Sequence, residues 1–431
     1  MSRPDPSIDD LQHVVRSCPA IDNHAHNLLL PSCEDSYSLL TATTEATGKA
    51  LNDTTRSLPH LRMVRQFREL YECDATAGWD ELMKKRRDLL AADAEGLFQK
   101  CFKGIHTILM DDGLDEGTVR PYQWHDRFIT GNTFRIVRIE AVAADILRGM
   151  YDLGQFGVGS ALEDEEHCAE LWITFLKAFE TAIVELIKDD DVVGFKSVIC
   201  YRTGLDVAVG SDVDIATNGL YAFRDDFLPN CLEDDFRVES KGLNDCILIS
   251  TCRLLTAGFE ESGLAKPLQF HTGLGDNDIS LLRSNPAHLQ PLIEKFPSVQ
   301  IILLHSAYPY TRQAGYLATV FANVFLDLGE VFPMVSRDGQ EHIIRQAMEL
   351  TPISKLLYST DAHHWAEVYW LADKQFRQAF GKVLVNYVEN EDMTIQQAID
   401  AARDIFFYNA SRIYHLNLEL PELEKVGDST Y

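Results

Sequence analysis

Short apolar runs alternate with longer stretches in which apolar positions recur every three or four residues, and this alternation continues along almost the whole chain. Apolar runs bounded by turn residues read as buried strands, and the 3.6-residue period reads as amphipathic helix. The runs AIDNHAH, GIHTILMDDG, FRIVRIEAVA, VVGFKSVICYR, LQFHTG, VQIILLH, ANVFLDL and KLLYSTD are the strand candidates. Between them, ELWITFLKAFETAIVELIKDD and NPAHLQPLIEKFP carry helical spacing, the second opening on an Asn-Pro start signal. Eight strands separated by helices predict an α/β fold, a (β/α)8 TIM-type barrel with its functional groups at the C-terminal strand ends.

Two segments exceed that plan. Residues 31–100 are too long for a connection, and the spacing in SLPHLRMVRQFRELYE and WDELMKKRRDLLAADAEGLFQKCF predicts a helical insertion after strand 1, expected to roof the barrel mouth. The stretch AIDAARDIFFYNASRIY predicts a C-terminal helical tail. No repeat or low-complexity linker divides the chain, so residues 1–431 are expected to form a single barrel domain. The KKRR run at 84–87 falls on the insertion and is expected to be a solvated helix face.

Composition narrows the function. With 46% hydrophobic and 24% charged residues the chain belongs with globular proteins. The formal charge of −27, from 39 basic and 66 acidic residues, argues against nucleic acid or an anionic membrane as partner. An anionic small-molecule substrate would need a local basic group. Nine cysteines without close CxxC pairs read as reduced thiols, Cys18 and Cys200 as buried structural ones. The N-terminal MSRPDPSIDDLQ has no apolar signal core, and a cytoplasmic protein is expected.

The chemistry-bearing residues gather at the expected strand ends. His24 and His26 stand two apart on strand 1, and side chains that alternate with period 2 put both on one face. His271, His305 and Asp361 each follow an apolar run, at strands 5, 6 and 8. Imidazole and carboxylate donors suit a zinc-like divalent ion. Asp361 has two roles open to it, ligand and proton acceptor, and His305 could polarise a substrate carbonyl or complete a second metal site. Lys196 in strand 4 bridges two ions only if its amine is carboxylated; with Tyr201 taken as the strand end it would lie deep. Tyr201, Arg202 and His363 are candidate substrate contacts, Arg202 because a guanidinium grips a carboxylate bidentately. Asp111 and Asp112 after strand 2, Arg138 and Glu140 in strand 3, and Tyr308, Tyr310 and Arg312 are read as structural support.

NHAHN, LMDDGL, FKSVICYRTGL, QFHTGLGDND, LLHSAYPYTRQAGYLA, NVFLDLGE and STDAHH together resemble the amidohydrolase superfamily. Within it they are similar to the amidohydrolase-2 branch that forms the N-terminal half of FluG and nodulin/glutamine-synthetase-like proteins. The resemblance implies hydrolysis of an amide-type C–N bond through one or two divalent ions, zinc first, with His24, His26, His271 and Asp361 as ligands, Lys196 on the strand of the bridging lysine and His305 in the strand 6 position. It also implies γ-glutamyl amides or similar small carboxylate-bearing molecules as substrates. Non-oxidative decarboxylation of an aromatic or unsaturated acid and a regulatory FluG-like role are the alternatives. A homo-oligomer built on the outer helices is compatible with the same resemblance.

Overall fold

The computed structural model describes residues 5–115, 117–156, 164–232 and 235–423. All eight expected strands form: β1 (Ala20–Ala25), β2 (Ile105–Asp111), β3 (Thr133–Arg138), β4 (Val192–Ser197), β5 (Leu268–Phe270), β6 (Ile301–Leu303), β7 (Val324–Asp327) and β8 (Leu356–Leu357). They follow one another in the sheet in chain order, with helices between them, which is the arrangement of a (β/α)8 barrel. β1 and β4 are buried at every position, as strands covered on both faces require. Among the described residues no helix is long and apolar enough to cross a membrane.

The chain divides into two compact units, Met1–Phe134 with Leu326–Tyr431, and Arg135–Phe325. In the first, β1 pairs with β2 in parallel, Ile21 opposite Thr107, and β7 with β8, Leu326 opposite Leu356. Beyond β8 the chain runs on beside β1: the amide of Asn23 donates to Tyr358 O (3.1 Å), Asp361 N to His24 O (2.9 Å) and His26 N to Ala362 O (2.8 Å). These bonds carry Asp361 to the level of the two histidines. In the second unit β4 pairs with β3 and β5, and β5 with β6, with Phe195 opposite Leu268 and Leu268 opposite Ile301.

The insertion after β1 forms as expected in its second half, helices Leu58–Leu70 and Trp79–Cys101, whereas residues 34–56 are a chain of 3-10 turns. Helix Leu58–Leu70 starts where the Ser57 hydroxyl accepts from His60 N, and it buries Met63, Gln66, Phe67 and Leu70, one stripe at helical spacing. That stripe joins Leu82, Phe98, Phe102, Trp365 and Tyr369 in a common core. Fully burying one apolar side chain is worth about 2 kcal/mol, so Met63, Phe67 and Leu70 contribute to fastening the insertion to helix Ala366–Glu389. The KKRR run departs from expectation here. Arg86 faces inward, buried, with Nε 2.6 Å from Glu367 Oε1 and its guanidinium over the Trp365 ring. A helix face always returns one residue in three or four to the core, and at this position the core holds a carboxylate.

The C-terminal tail is helical as expected, Ile395–Arg403 continuing through a wider turn into Asn409–Ile413. All nine cysteines are free of disulfides, and Cys18 and Cys200 are buried.

Candidate metal centre

His24 lies within β1 and His26 follows its last residue. Both rings are buried, with centroids 5.0 Å apart and planes at 83°. They converge on one atom: Asp361 Oδ1 is 3.2 Å from His24 Nε2 and 3.3 Å from His26 Nε2. Asp361 has a left-handed backbone, φ 51°, an uncommon conformation outside glycine that the amide bond to His24 O holds in place. One residue back, Thr360 donates its N–H to Asp22 Oδ1 (2.9 Å) and its hydroxyl to Asp22 Oδ2. Burial pushes the Asp22 carboxyl up to about 8, against the pull of these Thr360 bonds.

The tautomer of His26 follows from its other nitrogen. Nδ1 lies 3.0 Å from the carbonyl oxygen of Asp111, which can only accept, so Nδ1 carries the proton. In that tautomer Nε2 is the nitrogen left to face the Asp361 carboxylate with its lone pair. Two such electron-rich atoms at 3.3 Å repel each other unless positive charge lies between them. The Asp111 carboxylate is close as well, Oδ2 3.8 Å from His26 Nδ1, and ligand atoms of His24, His26 and Asp111 all lie within 4.8 Å of one another. Two imidazoles and two carboxylates form a donor set that fits a borderline divalent ion such as zinc. Asp111, read from the sequence as support, is thus part of this cluster. It is the last residue of β2, so the strand-end criterion that singled out Asp361 also applied to it.

His363 is pushed down to about 4 by burial, then by the charge of His364, so its ring is neutral near pH 7; its centroid is 6.4 Å from that of His26. His364 is tied to Asp115, Nε2 to Oδ2 2.8 Å, and its ring lies 4.4 Å from Tyr37 of the insertion.

In the second unit, His271 directly follows β5 and its Nε2–H donates to Leu274 O (2.7 Å), which leaves Nδ1 as the acceptor nitrogen. Its ring is 4.2 Å from that of His305, which opens the turn after β6, and 4.4 Å from that of Tyr201. Gly275 packs closely there: a Cβ would stand 2.6 Å from the Tyr201 hydroxyl oxygen, so a larger residue would displace that side chain. Lys196 differs from expectation. β4 ends at Ser197, not at Tyr201, because Val198 leaves the extended region (φ −108°, ψ 21°) and Ile199–Tyr201 coil into a 3-10 turn. Lys196 is therefore the penultimate residue of its strand, buried, at the end where barrel sites form. Glu140 is likewise not in β3 but in the first turn of helix Ile139–Asp152, where its Oε1 accepts from Ser197 Oγ (2.6 Å) and Val198 N (3.1 Å). Arg202 follows the turn and meets Glu239 at 3.8 Å and Asp278 at 3.9 Å.

Fold and donor set thus define a barrel protein with a histidine–carboxylate centre suited to a divalent cation. The sequence likeness is more particular: residues 263–416 match the amidohydrolase family (Amidohydro_2), and over 418 residues the chain is 46% identical to the protein FluG of Emericella nidulans. The resemblance to the amidohydrolase-2 branch and FluG read from the motifs is therefore shown. That match covers 96% of this chain and 48% of FluG, so the chain spans about half the length of the curated relative it matches. Among solved structures, a protein of Lactobacillus casei ATCC 334 described as an inferred metal-dependent hydrolase superposes with TM-score 0.71 at 24% identity, covering 94% of this chain and 97% of that one. A uronate isomerase of Bacillus halodurans C-125 gives 0.63 at 14% identity, covering 95% and 96%. At these identities the likeness is one of fold.

Proposed function

We propose that this chain is a metal-dependent amidohydrolase that cleaves a C–N bond of a small carboxylate-bearing molecule in the cytoplasm, with γ-glutamyl amides as the first candidates. The observation that carries the reading is the convergence of His24 Nε2 and His26 Nε2 on Asp361 Oδ1, with the His26 proton placed on the far nitrogen. His24, His26 and Asp361 would hold the ion, with Asp111 beside them. A divalent ion, zinc by this donor set, supplies a Lewis acid and makes water acidic enough to ionise near neutrality. In the second unit His271 and His305 stand at the strand ends where the resemblance expects a ligand and the strand 6 histidine, and Lys196 on the strand of its bridging lysine. Asp361 Oδ atoms take a proton from the attacking water and pass it to the leaving nitrogen, the work of a positioned carboxylate base. Arg202 holds the substrate carboxylate with Tyr201 next to it in the chain, and His363 is a substrate contact on the side of His26.

The test is mass spectrometry of products after the zinc-loaded protein is incubated with pooled γ-glutamyl amides, N-acyl amino acids, lactones and aromatic carboxylic acids, with Asp361→Asn as the blank. Products that sum to substrate plus one water establish the hydrolase and name its bond. Loss of carbon dioxide replaces it with a decarboxylase, and no turnover of any member refutes the proposed substrate class.

A further inference from the structure

Arg202 does not stand alone. It belongs to a ring of four charges: Arg202 Nε is 3.8 Å from Glu239 Oε1 and Nη1 3.9 Å from Asp278 Oδ2, while Arg237 Nε is 3.2 Å from the same Glu239 oxygen and Nη2 3.9 Å from the same Asp278 oxygen. We propose that Arg202 and Arg237 form a two-guanidinium clamp that selects substrates carrying two carboxylates, with Glu239 and Asp278 as the counter-charges such a substrate displaces. The inference rests on the reading that the substrate is a carboxylate-bearing small molecule, and extends it to a charge count.

The ring is built rather than incidental. Burial alternates along the segment that supplies its second arginine, Phe236 and Val238 inward, Arg237 and Glu239 outward on one face. The segment is pinned by Asn244 Nδ2, which donates to Val238 O (3.1 Å), and by Phe236 N, which donates to Cys231 O (2.8 Å). Asp278 comes from the loop after β5, where its N–H donates to Asp276 Oδ1 (2.9 Å). That loop is fastened by Leu274 N to Tyr308 O (2.7 Å) and Gly273 N to Ser284 O (3.0 Å).

Three features mark the ring as a docking place for anions. First, both contacts of Arg202 are long, 3.8 and 3.9 Å, and Arg237 comes close to a carboxylate through Nε alone, so neither planar fork grips a carboxylate bidentately. Second, Arg202 is recessed, its side chain 19% exposed, and burial with the like charge of Arg237 lowers its hold on its proton, so a close anion relieves both. Third, Glu239 and Asp278 are about half exposed, 47% and 51%, and exposed ion pairs of this kind are worth only about 0–1 kcal/mol, so releasing them to water costs little. The ring is neutral with two carboxylates in it. A dicarboxylate replaces both, whereas a monocarboxylate leaves one ring carboxylate facing the ligand.

The test is calorimetric titration of the full chain with glutarate and with butyrate, at low and at raised salt. Glutarate is expected to bind at least tenfold tighter, and more salt-sensitively. Arg237→Gln should bring glutarate down to butyrate, Arg237→Lys should keep part of the difference, and Glu239→Gln should strengthen butyrate. Equal affinities, no binding of either, or a glutarate preference that survives Arg237→Gln overturns the clamp. Because binding is read without turnover, a protein inert toward every amide that still prefers glutarate loses the hydrolase reading and keeps the clamp; amide hydrolysis with no such preference does the reverse.

Discussion

Arg86 and Glu367 form a buried ion pair, Nε to Oε1 2.6 Å, that ties the helical insertion to the helix beginning just past Asp361. Tyr71 adds its hydroxyl to the same Glu367 oxygen (3.0 Å). Removing one member leaves the other charge buried without compensation, which typically costs about 3–5 kcal/mol. Arg86→Met should lower stability by that amount in urea unfolding. Adding Glu367→Gln to it should recover a large part of the loss, since the orphaned charge is gone. If the single variant unfolds within about 1 kcal/mol of the wild type, the pair is not what holds the insertion down.

Asp361→Asn keeps the shape of the side chain and the amide bond to His24 O but removes the negative charge facing both imidazoles. The expected result is an unchanged circular dichroism spectrum and a fall in turnover of at least roughly 10³-fold, as loss of a general base together with a metal ligand implies. Elemental analysis after dialysis should show less zinc per chain than in the wild type. Near-normal rates in this variant would remove Asp361 from the chemistry.

The barrel and the strand-end histidines were legible because both follow from local pattern. Each apolar run that ended in His24, His271, His305 or Asp361 became a strand or a strand's continuation, since full burial requires apolar residues at nearly every position. What pattern could not show was the tertiary partner. Arg86 sits in a basic run, and its burial depends on Glu367, 281 residues away. Asp111 ends an apolar run as Asp361 does, but its partner His26 is named only by the pairing of β1 with β2. The depth of Lys196 was misread because VVGFKSVICYR is apolar beyond the strand's end, and the break at Val198 is a backbone event stabilised by Glu140 rather than a change in hydrophobicity.

Arg202→Ala should raise KM for carboxylate-bearing substrates about 10- to 100-fold with kcat within a few-fold, because the guanidinium binds ground state and transition state alike. Neutral analogues lacking the carboxylate should show no change. Steady-state kinetics with a matched pair of substrates decides it. An unaltered KM would leave Arg202 as a member of a surface ion-pair ring only.

Asp111 acts on His26 through two atoms, the carbonyl that fixes the tautomer and the carboxylate 3.8 Å from Nδ1. Substitution removes only the second, so Asp111→Ala should weaken zinc binding by about tenfold, the lower end of the range for groups that support metal ligands. Competition against a chromophoric chelator measures this directly. Asp111→Asn should lose less, since an acceptor remains for Gly113 N, which donates to Asp111 Oδ1 (3.2 Å). Equal zinc affinity in all three proteins would assign Asp111 a purely structural place.

His125 sets the expected acid limit of the fold. Its ring is buried, Nδ1–H donates to Tyr122 O (2.9 Å) and Nε2 accepts from Leu28 N (3.2 Å), so both nitrogens are committed in the neutral tautomer. Burial holds the ring down to about 4 from an ordinary 6.5. The folded value lies below the unfolded one, so the neutral form is the one the fold stabilises. Its contribution is complete above pH 6.5 and is lost as pH falls through 4, and the gap corresponds to at most roughly 3 kcal/mol. Protonation would also turn Nε2 into a second donor facing the Leu28 N–H. Thermal melts of wild type and His125→Gln at pH 7.5 and pH 4.5 test the linkage: the variant starts less stable but should lose less on acidification. Parallel losses in the two proteins would place the acid sensitivity elsewhere in the molecule.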